Sequence, residues 1–461
     1  MANAKIIIIG GGPGGYVAAI RAAQLGADVT VIEEDKIGGT CLNRGCIPTK
    51  AILASVQTLA LFERADQLGI EVEKVVPNFS RMMERKNKIV SQLRGGIDYL
   101  LKANKVKVIK GKANFLNSHS ICIETEAGRK ELEGEKIIIA SGSKPILLPF
   151  LDSNHPAVLT SEQALELKEV PESLLIIGAG VIGCEFASIF NPLGTKITMI
   201  EMMEQILPTE DKRVAQTMER IFKKRGINIF TSTKLEEITE YREDGITAKL
   251  DKGEKIEAEK ILICVGRSPR INNMGLENLS LKTDQKGTIL VNEKMETTQQ
   301  GIYAIGDVVG GYLLAHVASE EGIIAAENAT KLTSEIDYTS VPSCIFTSPE
   351  IGTVGLTPDE AEEKGIEVTI ARFPFTACGK AHAIGETDGF VQLIVRESDH
   401  RILGGQIVGL HAADLVHEIA LAIRWGLTAE QLSSTIHAHP TLSEAIMEAA
   451  RKAEGKPIHF I

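Results

Sequence analysis

The sequence predicts an α/β chain made of two Rossmann-like dinucleotide-binding folds followed by an α+β region. Three observations predict it: a strand–turn–helix–strand module that occurs twice, a length of 461 residues, and a change of pattern after Val341. At roughly 150 residues per domain, that length accommodates about three domains, each with ample core.

The first module runs from Lys5 to Glu34, KIIIIGGGPGGYVAAIRAAQLGADVTVIEE, and the second from Leu174 to Met202, LLIIGAGVIGCEFASIFNPLGTKITMIEM. Each opens with a short β-branched or Leu-rich run, which reads as a buried parallel strand. Each then turns through G-x-G-x-x-G, at Gly10, Gly12 and Gly15 or at Gly178, Gly180 and Gly183. A helix-like apolar pattern follows and stops at Gly26 or Gly194, the same offset in both. A second apolar strand closes on Glu33 or Glu201, eighteen residues after the third glycine.

That spacing has a physical reading. The first glycine permits the tight turn, the second lets backbone approach a pyrophosphate, and the third lets helix and strand pack closely. The pyrophosphate then rests on the helix N-terminus, where free N–H groups and the dipole favour anions, and the acid takes hydrogen bonds from a ribose hydroxyl. A lone glycine pattern also arises for purely structural reasons. Two full copies with strand, helix and acid imply two dinucleotides held at once, and the natural pair is a flavin and a nicotinamide. No Arg or Lys accompanies Glu201-Met-Met-Glu204, and an acid there repels the extra phosphate of NADP, so NAD is expected. Pro192 lacks a backbone donor and is expected to end or kink the second helix about one turn early.

Directly after the first module comes GGTCLNRGCIPTK, Gly38 to Lys50. Cys41 and Cys46 are five apart, which on an ideal helix does not set them side by side. A disulfide needs Cα atoms within about 7 Å, so the segment must be bent or only partly helical. Asn43 and Gly45 permit the bend, and Pro48 suits the first turn of a following helix. The functional reading is a dithiol that opens and closes beside the flavin. The alternatives are two buried thiols or an incomplete metal site, for which no further Cys or His lies near in sequence. The remaining cysteines (Cys122, Cys184, Cys264, Cys344 and Cys378) are isolated and read as buried or inert.

Composition excludes other classes. A formal net charge of −11 and a pI near 5.6 disfavour a nucleic-acid face, which needs clustered Lys and Arg. No continuous apolar run approaches the ~18–20 residues of a membrane span. The opening residues carry no apolar leader or cleavage site, so the expected compartment is the cytoplasm, or an organelle lumen after loss of a transit peptide.

Near the other end stands HAHPTLSE, His437 to Glu444. Pro440 moves His439 away from helical geometry, so the imidazole is expected on a turn before the next helix. Thr441 and Glu444 have capping-box spacing, and the two histidines read by themselves as solvated loop side chains.

Together the dithiol segment, the paired modules and this tail resemble the class I pyridine nucleotide–disulfide oxidoreductases over essentially the whole chain, and most closely their dihydrolipoamide-oxidising members. Smaller motifs agree: ASGSKP (Ala140 to Pro145), CVGRSP (Cys264 to Pro269), IYAIGDV (Ile302 to Val308) and LLAH (Leu313 to His316). The resemblance implies FAD on the first module and NAD on the second. It implies cofactor contacts from Ala113, from Ser141, Gly142 and Ser143, from Asp307 to the ribitol, and from Leu313, Leu314, Ala315 and His316 against the flavin ring. Lys50 is implied near the flavin N5 edge and paired with Glu185, and Leu235 and Gly266 are further implied contacts. Without the resemblance, Lys50 and Glu185 read as surface charge.

The resemblance also implies that His439 is the acid/base, that Glu444 orients it, and that it serves the cysteines of the other subunit in a homodimer. The implied organisation is an FAD-binding domain at 1–145, an NAD-binding domain at 146–270, a return to the flavin fold at 271–340 and a dimerisation domain at 341–461. The last has strand-rich stretches at Phe390 and Ile402 and then Ala-, Leu- and Ile-rich helices expected to be exposed in a monomer. Electrons are expected to pass from dihydrolipoamide, through Cys41, Cys46 and the flavin, to NAD. No lipoyl domain precedes the first module, so a separate lipoyl-bearing protein of a 2-oxo acid dehydrogenase or glycine-cleavage complex is the expected partner. The rivals are a glutathione-type or other disulfide reductase, which is expected to show NADP-selecting basic residues or a C-terminal Cys pair, and a non-catalytic redox-sensing flavoprotein.

Overall fold

The computed structural model describes residues 4–330 and 332–460; of the opening residues read above for a leader, Met1 to Asn3 lie outside it. Each apolar run of the two modules forms the centre of a five-stranded parallel sheet. In the first, the order is Ile302–Ala304, Lys136–Ile139, Lys5–Ile9, Asp28–Glu33 and Lys107–Lys110. Ile7 pairs with Thr30 on one side and Ile137 on the other, and Ile6, Ile7 and Ile8 are all buried. In the second, the order is Val158–Thr160, Lys260–Ile263, Ser173–Ile177, Lys196–Ile200 and Asn228–Phe230. The sheets correspond strand for strand, except that the outer strand comes from late in the chain in the first and from before the module in the second. Parallel strands buried on both faces need continuous apolar runs, which these sequences supply.

Antiparallel pieces join and extend these sheets. The segments following the inner strands, Ser143–Pro145 and Arg267–Pro269, pair with each other, Ser143 opposite Pro269. Beyond Val341 an antiparallel sheet has the order Pro342–Ile345, Glu350–Gly355, Ile402–Gly409, Phe390–Arg396, Val368–Pro374. The helices Ala412–Arg424 and Glu444–Ala453 pack on it.

A long helix, Phe79–Ala103, follows the dithiol segment, with Asn78 Oδ1 accepting from Arg81 N at 3.0 Å as its cap. Pro192 acts as expected: the second module's helix stops at Phe190 and tightens into a 3₁₀ turn over Asn191–Leu193, whereas its counterpart runs from Pro13 to Gln24.

The dithiol segment folds as two helices, Gly39–Arg44 and Cys46–Phe62, broken at Gly45 (φ −146°, ψ −111°). The span Gly39–Phe62 is the one helical stretch among the described residues long and apolar enough, by length and composition alone, to cross a membrane. Its apolar side has partners within the protein. Ile52, Leu53 and Val56 share a core with Phe186 and Phe190 of the second module and with Ile345, Phe390 and Val408 of the antiparallel sheet. Burial of each such side chain contributes ~1.5–3 kcal/mol, and this shared core fixes the dithiol helix against the second module and the antiparallel sheet.

Candidate active site

The glycine loops are built alike in both copies. A Cβ on Gly10 would meet Ala140 O at 2.2 Å and one on Gly178 would meet Cys264 O at 2.5 Å, with both residues at positive φ. At the third glycine a Cβ on Gly15 would lie 1.9 Å from Gly10 O, and one on Gly183 would lie 2.2 Å from Gly178 O. The middle position is open: Gly180 has nothing within 4 Å and Gly12 only Gly39 Cα at 3.9 Å. Glu33 accepts from Gly11 N at 2.7 Å, as Glu201 accepts from Ala179 N at 2.9 Å, so each acid also braces its own loop. Burial holds the Glu33 carboxyl above its ordinary range despite that bond.

A cavity of about 1010 Å³ opens from the first loop. It brings together Gly10, Gly12, Glu33, Cys41, Cys46, Lys50, Ala113, Ser141, Gly142, Ser143, Glu185, Asp307 and the run Leu313 to His316. Gly15 is not on its walls but packs against Gly10. The structure keeps Gly178, Gly180, Gly183, Glu201 and Gly266 out of this cavity, at the second loop and its neighbouring crossover. Leu235 is a core side chain, packed with Leu175, Ile177 and Ile200.

The residues present fit a dinucleotide. Ser141 Oγ, on the cavity wall, is buried with no hydrogen-bond partner in the protein, and such a group calls for a polar ligand. Beside it Arg267 Nε donates to Ser143 Oγ at 2.7 Å, and Ser143 Oγ in turn donates to Asp307. Arg267 escaped the sequence reading although it stands within CVGRSP; its role depends on a strand pairing between segments over a hundred residues apart.

The dithiol lies at this cavity with both thiols free. Cys41 donates a hydrogen bond to Cys46; that bond and burial raise the Cys41 thiol, while the same bond, aided by Lys50, brings Cys46 down to about 7 against its burial. Lys50 Nζ is 2.8 and 3.0 Å from the two oxygens of Glu185 and 4.5 Å from the centre of the Phe346 ring. Phe346 N also donates to Glu185, at 3.0 Å. Asn43 ties the preceding turn by donating to Ile37 O and Gly39 O at 3.0 and 2.9 Å. Phe346 and Cys344 also line the cavity; nothing in their local sequence marks them.

His439 and Glu444 do not line the cavity. The His439 ring is 77% exposed, and its Nδ1 is 3.0 Å from Glu444 Oε1. Glu444 Oε2 accepts from Thr441 N at 2.8 Å. The expected capping box is thus one-sided: Glu444 reaches back to Thr441, but the Thr441 hydroxyl donates to Ala438 O and the helix begins at Glu444. Burial pushes the Glu444 carboxyl up, but its bonds from Thr441 and His439 outweigh that and hold it below its ordinary range. His437, read as solvated, is instead buried, with Nε2 at 2.7 Å from Glu418 Oε1. Cys378 has its place under this turn, its thiol 3.6 Å from Thr441 O.

Residues 4–322 match the family model described as pyridine nucleotide-disulphide oxidoreductase, and residues 341–450 match that family's dimerisation domain. The chain belongs to the pyridine nucleotide-disulphide oxidoreductase family. As a member it is a flavoprotein disulfide oxidoreductase working with FAD and NAD. It is 45% identical to a dihydrolipoyl dehydrogenase of Bacillus subtilis (strain 168), with 99% of each chain covered. A dihydrolipoyl dehydrogenase of Geobacillus stearothermophilus is 43% identical, covering 99% of this chain and 97% of the other. Among solved structures, LpdA from Mycobacterium tuberculosis superposes with a TM-score of 0.90 at 29% identity, covering 97% of this chain and 99% of the other. The flavoprotein disulfide reductase RclA from Escherichia coli, as its Cu(II) complex, gives 0.89 at 29%, covering 98% and 100%.

Proposed function

We propose that this chain is an NAD-dependent dihydrolipoyl dehydrogenase. In this reading it oxidises dihydrolipoamide carried by a separate lipoyl-bearing protein, working in the cytoplasm as a homodimer. The observation that carries the reading is the hydrogen-bonded Cys41–Cys46 pair, with Cys46 favoured as thiolate, at the wall of a dinucleotide-sized cavity. The proposal divides the chain as expected above, with 1–145 and 271–340 holding FAD, 146–270 holding NAD and 341–461 forming the dimer.

FAD would be held by the Gly10–Gly15 loop, Glu33, Ala113, Ser141 to Ser143, Asp307 and Leu313 to His316, and would supply two-electron exchange between a dithiol and a nicotinamide. NAD would be held by the Gly178–Gly183 loop and Glu201. The protein's own part is thiol and proton chemistry. With the pair oxidised to a disulfide, His439 from the partner subunit takes the proton of one substrate thiol, and the resulting thiolate attacks Cys41 Sγ. The Cys41–Cys46 bond breaks and Cys46 leaves as a thiolate, stabilised by Lys50. The second substrate thiol then displaces Cys41 from the mixed disulfide, so that oxidised lipoamide leaves and the pair stays reduced. Glu444 keeps the His439 ring oriented throughout.

The test is NADH oxidation by the purified yellow protein with lipoamide, with glutathione disulfide as control, each repeated with NADPH. Turnover with NADH and lipoamide alone is expected. Preference for NADPH and glutathione disulfide would sink the lipoamide reading while leaving the dithiol chemistry intact.

A further inference from the structure

A second cavity, of about 490 Å³, lies apart from the dithiol. The helix Lys212–Lys224, which follows the second module, bounds one side; the strands Val368–Pro374 and Phe390–Arg396 bound the other. Arg213 and Arg220 stand two turns apart on that helix, a spacing that sets both on one side of it. Arg372 reaches in from the strand, and Lys452 completes a set of four cations.

Among the described residues, none of the four lies within 4 Å of a carboxylate oxygen. Asp388 is the one acid on the wall, and Asp211 is near enough to Arg372 to favour its charge. Burial lowers the Arg372 pKa, and the Arg213 charge acts in the same direction, as expected of guanidinium groups gathered without an anion between them. In a chain of net charge −11 this is a local reversal of sign.

The site is also built to hold its shape. Arg372 Nε donates to Gln392 Oε1, and Gln392, fully buried, donates to Gln406 at 2.7 Å. One edge of the guanidinium is thereby fixed while its terminal nitrogens stay available. The remaining wall has an apolar part, Ile370, Pro374, Phe390 and Phe460, beside the hydroxyl-bearing Thr217, Thr376 and Thr387, with Lys452 Nζ 4.6 Å from the Phe460 ring centre.

We propose that this cavity binds a phosphorylated small molecule of mononucleotide size, its phosphate taken by Arg213, Arg220 and Arg372 and its ring by the apolar wall. Guanidinium forks match phosphate oxygens bidentately, which favours phosphate over a simple carboxylate. The volume falls in the range of small-ligand pockets, and it favours a compact molecule over an extended chain. Because the helix follows the second module and the strands belong to the last sheet, the ligand bridges the two.

The test is calorimetric titration of the FAD-loaded protein with AMP, in saturating NAD so that the second module's own loop is filled, with inorganic pyrophosphate and adenosine as separate probes. AMP is expected to saturate at one site per protomer, pyrophosphate to compete with it, and adenosine to bind far more weakly. The double variant Arg213→Ala/Arg372→Ala is expected to lose at least about tenfold in AMP affinity, with its flavin spectrum and its turnover without AMP unchanged. Arg213→Gln alone, at an exposed helix position, should lose less in the same direction, which keeps the test valid should the double variant fold poorly. No saturable AMP binding, or equal affinity in the Arg213 variants, overturns the proposal. Pyrophosphate binding without AMP binding overturns the assigned size.

Discussion

At Cys46 two neighbours act against burial: the Cys41 thiol donates a hydrogen bond and the Lys50 ammonium adds positive charge, which together bring the thiol down to about 7. In the reduced protein the thiolate is therefore expected above that pH and lost below it, read as 240 nm absorbance with a midpoint near 7. Cys41→Ala removes the larger influence and should raise the midpoint most; Lys50→Met should raise it less. A midpoint that stays put in Lys50→Met would remove Lys50 from this role. His439 calls for a different variant. His439→Gln should cut lipoamide turnover by about 10²–10⁴-fold, with flavin absorbance and the thiolate titration unchanged, and Glu444→Gln should cut it less because the ring keeps its place in the chain. At this scale the sequence was legible where spacing itself carries chemistry, as in the cysteine pair and the glycines. It was not legible for Arg267, Phe346 or the burial of His437, because each depends on a partner distant in the chain or on a surrounding that local pattern does not encode.

The two glycine turns separate folding from binding within one element. At Gly183 an added methyl meets Gly178 O at 2.2 Å, so Gly183→Ala must move helix from strand and is expected to cost ~1–3 kcal/mol, visible as a lowered thermal midpoint. At Gly180 the methyl meets nothing in the protein, so Gly180→Ala should leave the midpoint within about 0.5 kcal/mol of the parent's stability and instead raise KM for NADH about tenfold or more. If both variants behaved alike, the open face at Gly180 would not be where the dinucleotide approaches. The modules themselves were legible as elements, since a buried parallel strand, a glycine turn and an acid each leave a local mark. Pro192 was legible too, because its missing donor acts on its own helix. The source of the outer strands was not: Ile302–Ala304 and Val158–Thr160 take corresponding places from opposite directions along the chain. Three-residue strands carry no periodicity to read. The one-sided cap at Thr441 was similarly hidden, since the competing acceptor, Ala438 O, is a feature of the turn.

For the whole molecule, the dithiol lines the cavity and the proposed base, His439, does not. Cys41 and Cys46 line the cavity, while His439 is 77% exposed and absent from its walls. The dimerisation region also leaves large apolar side chains in solvent: Leu421 is 58% exposed, Trp425 73% and Ile436 96%. Single apolar residues on a surface are ordinary, but this group accompanies the proposed base, with Ile436 three residues before it. Two-fold symmetry makes such an interface self-complementary, so each chain would receive a base and give one. The consequence can be tested without disturbing the interface. Cys46→Ser and His439→Gln homodimers should each be nearly inactive with lipoamide. After subunit exchange in an equal mixture, half the dimers are mixed, and each mixed dimer carries one site with both native groups and one with neither. Activity should therefore rise to about a quarter of the parent's on this symmetry. If base and dithiol came from the same chain, every site in the mixture would still lack one group, and no activity would return however long the subunits exchanged.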